Sequence, residues 1–120
     1  MRILIAGLGA IGQRHARNLR ALRGGGLELF AYRSRRLRHV VTEALTKDET
    51  RDVESELGIH AFEDLDRALG TKPDAVFICT PSSRHLDVAQ RAADAGCHLF
   101  IEKPVSNTMA GVERLRATVA

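Results

Sequence analysis

Three glycines near the N-terminus have the spacing of a phosphate-binding turn. Gly7, Gly9 and Gly12 form the pattern G-x-G-x-x-G directly after the apolar run RILIA. In such a turn the first glycine permits a tight bend, the second lets the backbone approach a pyrophosphate, and the third lets helix and strand pack closely. Backbone N–H groups at Ala10 and Ile11 open the following helix, whose N-terminus attracts anions. The pattern predicts a dinucleotide pyrophosphate here; a glycine turn without a ligand is the alternative.

A second candidate position follows the second apolar run, where domains that bind NAD usually have an acidic residue. The sequence has Arg33 and Ser34 there, with more arginines after them and no carboxylate. An arginine can pair with a 2′-phosphate through two hydrogen bonds, and the serine hydroxyl can add a donor. We therefore predict a preference for NADP over NAD. Solvated arginines are the alternative. Contact with nucleic acid is disfavoured, because stacking aromatics and DNA-binding motifs do not accompany the cluster.

Two further segments end apolar runs with side chains that can do chemistry. Thr80, Pro81 and His85 lie in TPSSRH, and a functional interpretation places Thr80 and Pro81 against the nicotinamide end of the cofactor, with His85 lining the crevice. The alternative is that His85 is only a packed residue of the first helical turn, and we expect Ser82 or Ser83 to cap this helix. Glu102 and Lys103 lie in the sequence EKP. The lysine could hold a substrate hydroxyl or, with a lowered pKa, move a proton; a surface ion pair is the alternative.

These positions need a scaffold in which short buried strands alternate with helices. Apolar runs predict strands over residues 2–6, 27–32, 59–62, 75–79 and 98–101. Helical patterns predict helices over about 10–23, 51–57, 64–69 (capped by Asp64) and 84–95, and a last helix capped by Ser106 or Asn107. Residues 33–50 are the least legible stretch, because Val40, Val41, Ala44 and Leu45 fit a helix or an extended segment equally and residues 46–50 are wholly polar. Residues 37–50 either cover the expected adenosine pocket or are disordered.

This alternation predicts an α/β fold, a Rossmann-type doubly wound parallel sheet in a single domain of 120 residues. Right-handed crossovers predict the strand order 3-2-1-4-5. Ligands of such sheets bind beyond the carboxyl ends of the strands where the order reverses, here at strands one and four. Residues 7–12, 80–85 and 102–104 are therefore expected to converge at this edge.

The composition of the chain limits which other classes of protein it could belong to. The chain is 44% hydrophobic and 28% charged, as in an ordinary soluble domain, and a formal charge of +3 demands no polyanionic partner. No apolar run approaches the ~20 residues of a membrane helix, and no cleavage pattern indicates a signal peptide. Cys79 and Cys97 match neither a disulfide framework nor a metal site, so we expect reduced thiols, no metal and a cytoplasmic protein. Arg14, Arg17 and Arg20 are expected to form a solvated helix face, with an interface as the alternative.

With GLGAIGQRHARNL, CTPSSRH and FIEKP in this order, the chain resembles the Gfo/Idh/MocA family of NAD(P)-dependent oxidoreductases over essentially all 120 residues. The resemblance implies hydride exchange between a nicotinamide and a hydroxyl or carbonyl carbon, commonly of a sugar, cyclitol or sugar derivative. It assigns roles to the following sets: the pyrophosphate turn to Gly7, Gly9 and Gly12, cofactor discrimination to Arg33 and Ser34, the nicotinamide side to Thr80, Pro81 and His85, and the EKP motif to Glu102 and Lys103.

The resemblance also implies a second domain that these 120 residues are expected to lack. In the family that domain is an open-faced sheet that binds substrate and mediates oligomerisation. We therefore expect a cofactor-binding half that binds dinucleotide and turns over poorly alone, with Lys103 as its candidate catalytic residue. A stand-alone dinucleotide sensor is the alternative, although a sensor needs no lysine at the hydride end. Substrate, reaction direction and oligomeric state are left open.

Overall fold

A five-stranded parallel sheet forms the centre of the computed structural model, which describes residues 1–34 and 39–120. Its strands are β1 (Arg2–Ala6), β2 (Glu28–Tyr32), β5 (Ile59–Phe62), β6 (Ala75–Ile78) and β7 (His98–Ile101), and the short strands β3 (Val40–Val41) and β4 (Lys47–Asp48) pair separately as an antiparallel hairpin. The order in the large sheet is β5-β2-β1-β6-β7. In terms of the five predicted strands this is 3-2-1-4-5, so the predicted doubly wound topology is confirmed.

The helices are α1 (Ala10–Arg23), α2 (Val53–Leu57), α3 (Leu65–Leu69), α4 (His85–Asp94) and α5 (Val112–Val119). Strand β1 is buried on both faces, as a central parallel strand must be. Leu4 packs into a core with α3, α4 and α5, whereas Ile3 and Ile5 pack into a second core with α1 and α2. Successive side chains of a strand point to opposite faces, so β1 anchors both layers.

Two predicted helix starts are wrong. The helix predicted from Arg51 begins at Val53, because the Asp52 carboxylate accepts the backbone N–H of Glu54 and caps it. The last helix is not capped by Ser106 or Asn107; it begins after Gly111, which has a left-handed φ of 86°. The Ser106 hydroxyl instead accepts the N–H of Thr108 in a local turn. The predicted cap at Asp64 is present, since its carboxylate accepts the N–H of Arg67.

The segment between β2 and α2 contains a small hairpin. The sequence did not distinguish between helix and strand for these residues. Strands β3 and β4 pair Val40 with Asp48 and Val41 with Lys47. The arginines that follow Ser34 in the sequence, namely Arg35, Arg36 and Arg38, lie outside the described residues, and so does the choice between a phosphate site and solvated side chains for them. The hairpin packs on α1, because Arg17 donates to the carbonyl oxygen of Val41 at 2.9 Å. Arg17 is therefore not part of a solvated face.

The glycine turn brings α1 unusually close to the end of β1. A Cβ at Gly12 would lie 2.0 Å from the carbonyl oxygen of Gly7, and a Cβ at Gly7 would lie 2.7 Å from the carbonyl oxygen of Cys79. Gly7 also has a φ of 93°, which favours glycine. The first turn of the helix therefore sits where a side chain at either position would collide with backbone.

We expect Gly12→Ala to destabilise the fold by about 3 kcal/mol, since the added methyl must push the helix off the strand end. Gly25→Ala is the matched control, because a Cβ at Gly25 meets nothing within 4 Å. Urea unfolding followed by circular dichroism measures both variants. Equal stability of the two would mean that the turn relaxes freely around the methyl group.

Candidate functional site

The carboxyl ends of β1, β2 and β6 enclose a cavity of about 630 Å³. Predicted site residues from three separate segments line it, namely Gly7, Gly9, Ala10, Arg33, Ser34, Thr80 and Pro81. The hairpin adds His39, Val41, Leu45 and Lys47 to the wall. The predicted convergence of segments 7–12 and 80–85 at the sheet edge is therefore what the fold produces. Gly12 lies behind the wall, against Gly7.

The glycine turn offers an open backbone surface to this cavity. A Cβ at Gly9 would meet nothing within 4 Å, so the space in front of it is empty. Within the described chain, the N–H groups of Ala10 and Ile11 have no backbone acceptor, as the geometry of a helix N-terminus requires. Unpaired N–H groups at a positive dipole end fit a phosphate. The turn can therefore hold a pyrophosphate.

The end of β2 carries a buried ion pair. The Arg33 guanidinium is 3% exposed, and its Nη1 lies 3.0 Å from Oε1 of Glu54 on α2. The solvated interpretation of Arg33 is therefore wrong, although the residue still lines the cavity. Ser34 beside it is exposed. Sequence reasoning missed Glu54, because only the packing of α2 brings this carboxylate to the strand end.

The end of β6 supplies a buried hydroxyl with no partner. Thr80 Oγ1 is buried and finds no hydrogen-bond acceptor or donor within residues 1–34 and 39–120. An unsatisfied buried hydroxyl is costly, so it points to a ligand group in the cavity. The neighbouring Cys79 is a free thiol whose pKa is raised to about 12 by burial and by the charge of Glu102. Cys79 is therefore a protonated wall residue.

His85 links the two predicted motifs at this end of the cavity. Its ring is 2% exposed, with Nε2 2.7 Å from the carbonyl oxygen of Thr80 and Nδ1 2.8 Å from that of Pro104. A neutral ring donates to one of these oxygens and an imidazolium to both. The expected capping by Ser82 or Ser83 is not found, since those residues form a 3₁₀ turn that precedes α4.

Glu102 pairs with a histidine that sequence reasoning did not connect to it. Its Oε1 lies 2.6 Å from Nε2 of His15 on α1. This hydrogen bond lowers the pKa of Glu102, and the positive charge of a protonated His15 adds to the effect. The His15 ring packs edge-on against Phe77 and Phe100, with centroids 5.5 and 5.1 Å away. Eighty-seven positions separate the two partners, so no local pattern joins them.

A smaller cavity of about 290 Å³ lies at the other side of Thr80. Ile11, His85, Glu102, Lys103 and Pro104 contribute to its lining. Lys103 is exposed there, on the segment that follows β7. The fold thus places the candidate proton-handling lysine beside the threonine end of the larger cavity, and it places Arg33 and Ser34 at the opposite end.

Residues 1–34 and 39–120 contain no group of three metal-ligating side chains close enough to hold an ion. No helix in these residues is both long and apolar enough to cross a bilayer.

Relatives of known activity match most of this chain. Myo-inositol 2-dehydrogenase of Thermotoga maritima is 31% identical over 96% of the chain and 31% of its own length. UDP-N-acetylglucosamine 3-dehydrogenase of Acidithiobacillus ferrooxidans is 36% identical over 87% of the chain and 28% of its length. A 4-carboxy-2-hydroxymuconate-6-semialdehyde dehydrogenase of Sphingobium is 31% identical over 94% of the chain and 33% of its length. The chain thus spans about a third of the length of these relatives.

A solved structure and a family model agree with these relatives. Scyllo-inositol dehydrogenase of Lactobacillus casei, solved with NAD(H) and scyllo-inositol, superposes on 99% of the chain with a TM-score of 0.73 and 33% identity, and the match covers 32% of that protein. The family model described as an oxidoreductase family with an NAD-binding Rossmann fold matches residues 1–120. The chain belongs to the Gfo/Idh/MocA oxidoreductase family and forms its NAD-binding Rossmann domain.

Proposed function

We propose that this domain binds NADP in preference to NAD and serves an oxidoreductase that acts on a hydroxyl or carbonyl carbon of a sugar, cyclitol or sugar derivative. The observation that carries the proposal is the single cavity that joins the glycine turn to Arg33 and Ser34 at one end and to Thr80 at the other. Relatives that dehydrogenate inositol and a nucleotide sugar support the substrate class. The semialdehyde dehydrogenase among the relatives shows that the family's substrates extend further.

The residues of the cavity fit a dinucleotide from end to end. The pyrophosphate binds at the N–H groups of Ala10 and Ile11, in the space that Gly9 leaves open. Thr80 Oγ1 supplies a hydrogen bond at the nicotinamide end, which satisfies a buried hydroxyl. When bound, the nicotinamide supplies the hydride acceptor or donor of the reaction.

Lys103 is the proposed catalytic residue. Its exposed ammonium borders the smaller cavity next to Thr80 and Pro104, where a substrate hydroxyl would meet it. There the ammonium would donate a hydrogen bond to the substrate oxygen, and the neutral amine would take the hydroxyl proton when a bound nicotinamide accepts the hydride from the same carbon. Rate enhancement also requires the reacting carbon to be fixed against the cofactor. The walls of this cavity are open to solvent, so we propose that these 120 residues alone bind cofactor but turn over poorly.

The preference for NADP rests on the end of β2. No carboxylate follows Tyr32 to accept the ribose hydroxyls, and Ser34 presents an exposed hydroxyl to the cavity. A carboxylate at this position would repel a 2′-phosphate, whereas a hydroxyl can donate to it. Arg33 adds little positive charge at the same wall, because the buried carboxylate of Glu54 offsets much of it.

We expect Gly9→Ala to weaken binding of both NADPH and NADH at least tenfold, because the methyl group occupies the space of the pyrophosphate. A factor of ten corresponds to about 1.4 kcal/mol. The melting temperature is expected to stay near that of the unaltered chain, since a Cβ at this position meets no protein atom. Isothermal titration calorimetry and differential scanning calorimetry measure the two quantities. Undiminished affinity would place the pyrophosphate elsewhere.

We expect NADPH to bind at least tenfold more tightly than NADH, and Ser34→Asp to abolish that margin. The introduced carboxylate repels the 2′-phosphate and accepts hydrogen bonds from unmodified ribose hydroxyls. Asn18→Asp is the charge-matched control, because Asn18 is exposed on α1 and does not line the cavity. Calorimetric titration of all three proteins with both cofactors decides the point. Equal or tighter binding of NADH to the unaltered chain would refute the preference.

We expect His15→Leu to raise the pKa of Glu102, because the hydrogen bond from His15 is the main cause of its lowered value. The lowered folded pKa gives stability that is fully present above the ordinary glutamate pKa of 4.5 and is lost as pH falls through the folded pKa. Carboxyl ¹³C NMR titration of Glu102 measures the shift. An unchanged pKa in the variant would show that the hydrogen bond does not persist in solution.

A further inference from the structure

The β3–β4 hairpin is fixed to the helix that carries the glycine turn. Gln13 is fully buried on α1, and its Nε2 donates to the carbonyl oxygens of Leu8 and His39 at 3.2 and 3.0 Å. Its Oε1 accepts the N–H of Val41 at 2.7 Å. One buried amide therefore connects the turn directly to the hairpin. All of these partners are backbone atoms, so the three hydrogen bonds of Gln13 hold the main chain of the hairpin in a fixed position relative to the turn.

The hairpin presents one side to the adenosine end of the cavity. Val41, Leu45 and Lys47 line the same cavity as Ser34 and the glycine turn. Val41 is buried, whereas Leu45 is 73% exposed at the tip of the hairpin. Lys47 is paired with Val41 in the ladder, and it lines the same cavity as Arg33 and Ser34 at the end of β2. The wall thus combines apolar side chains with one ammonium group.

Among the described residues that line the cavity, Arg33 and Lys47 carry positive charges, and their surroundings differ. The side chains of Arg33 and Glu54 are 3% and 10% exposed and lie 3.0 Å apart, so the carboxylate offsets much of the arginine's charge. Lys47 is exposed and has no ion pair within residues 1–34 and 39–120. The carboxylate of the adjacent Asp48 accepts hydrogen bonds from the N–H and hydroxyl of Thr50. Lys47 is therefore the more available cation.

We propose that the β3–β4 hairpin is a cofactor-discriminating element and that Lys47 is the principal cation for the 2′-phosphate of NADP. This inference rests on the proposed binding of dinucleotide in this cavity. A phosphate monoester carries close to two negative charges at neutral pH, so it selects a lysine whose charge is not already offset. Ser34 donates a hydrogen bond from the strand end, and the apolar face of Val41 and Leu45 covers the adenosine. Residues outside the strand-end motif thereby set the choice between NADP and NAD.

The test uses Lys47→Met, which keeps most of the side-chain length and removes the charge. We expect its affinity for NADPH to fall about tenfold while its affinity for NADH stays within twofold, so that the preference for NADPH is largely lost. Lys72→Met is the matched control, because Lys72 is also exposed but lies in the turn before β6. That turn is at the amino end of the strand, whereas the cavity is at its carboxyl end. Adenosine 2′,5′-bisphosphate and adenosine 5′-monophosphate serve as probes of the adenosine end alone. All are measured by calorimetry.

The outcomes separate this inference from the function on which it rests. If the unaltered chain prefers NADPH and Lys47→Met keeps that preference, the assignment to Lys47 is wrong while the cofactor preference stands. If Lys47→Met weakens the binding of NADPH and of NADH equally, the hairpin contacts the adenosine without distinguishing the 2′-phosphate. The inference is again overturned. If the unaltered chain shows no preference between the two cofactors, the proposed preference itself fails. The inference is supported if Lys47→Met loses affinity for adenosine 2′,5′-bisphosphate but not for adenosine 5′-monophosphate, while Lys72→Met keeps its affinity for both.

Discussion

The contact between Gly12 and the carbonyl oxygen of Gly7 is the constraint on which the site depends. It holds the first turn of α1 against the end of β1, where no Cβ would fit. The N–H of Gly7 also donates to Tyr32, and the N–H of Cys79 donates to Ala6. Backbone hydrogen bonds thus join the ends of β2, β1 and β6 at one point. The cavity and the open helix N-terminus follow from this junction of backbone atoms.

Much of the scaffold could be predicted from the sequence, because its signals are local. The run RILIA is apolar on both faces, as a central strand of a parallel sheet must be. Glycines and buried runs then fix the order of the elements, and right-handed crossovers fix the strand order. The same topology brings residues 7–12 and 80–85 to one edge before any side-chain contact is known. Family resemblance was needed to propose Lys103 as the catalytic residue, since a lysine after a strand has many uses.

The partners of the site residues could not be predicted, because they come from distant segments. Arg33 meets Glu54 across 21 positions and His15 meets Glu102 across 87. The hairpin was equally hidden, since two strands of two residues each give no hydrophobic period. Arg20 shows the same limit: its guanidinium bonds the carbonyl oxygens of Leu27, Leu57 and Gly58, whereas its spacing suggested a solvated face. A charged side chain that donates hydrogen bonds to backbone oxygens has no partner residue type that a sequence pattern could reveal.

The glycine junction divides the cavity into parts that can change at very different cost. Its floor is built from backbone atoms at Gly7 and Gly12, where any added side chain collides with the main chain. Its rim carries exposed side chains such as Ser34 and Lys47, whose replacement has little effect on stability. The side chains that we propose to select between NADP and NAD can therefore change, by design or in evolution, without refolding the domain. Steric limits therefore fix the backbone floor of the cavity, whereas the exposed side chains of its rim are free to vary.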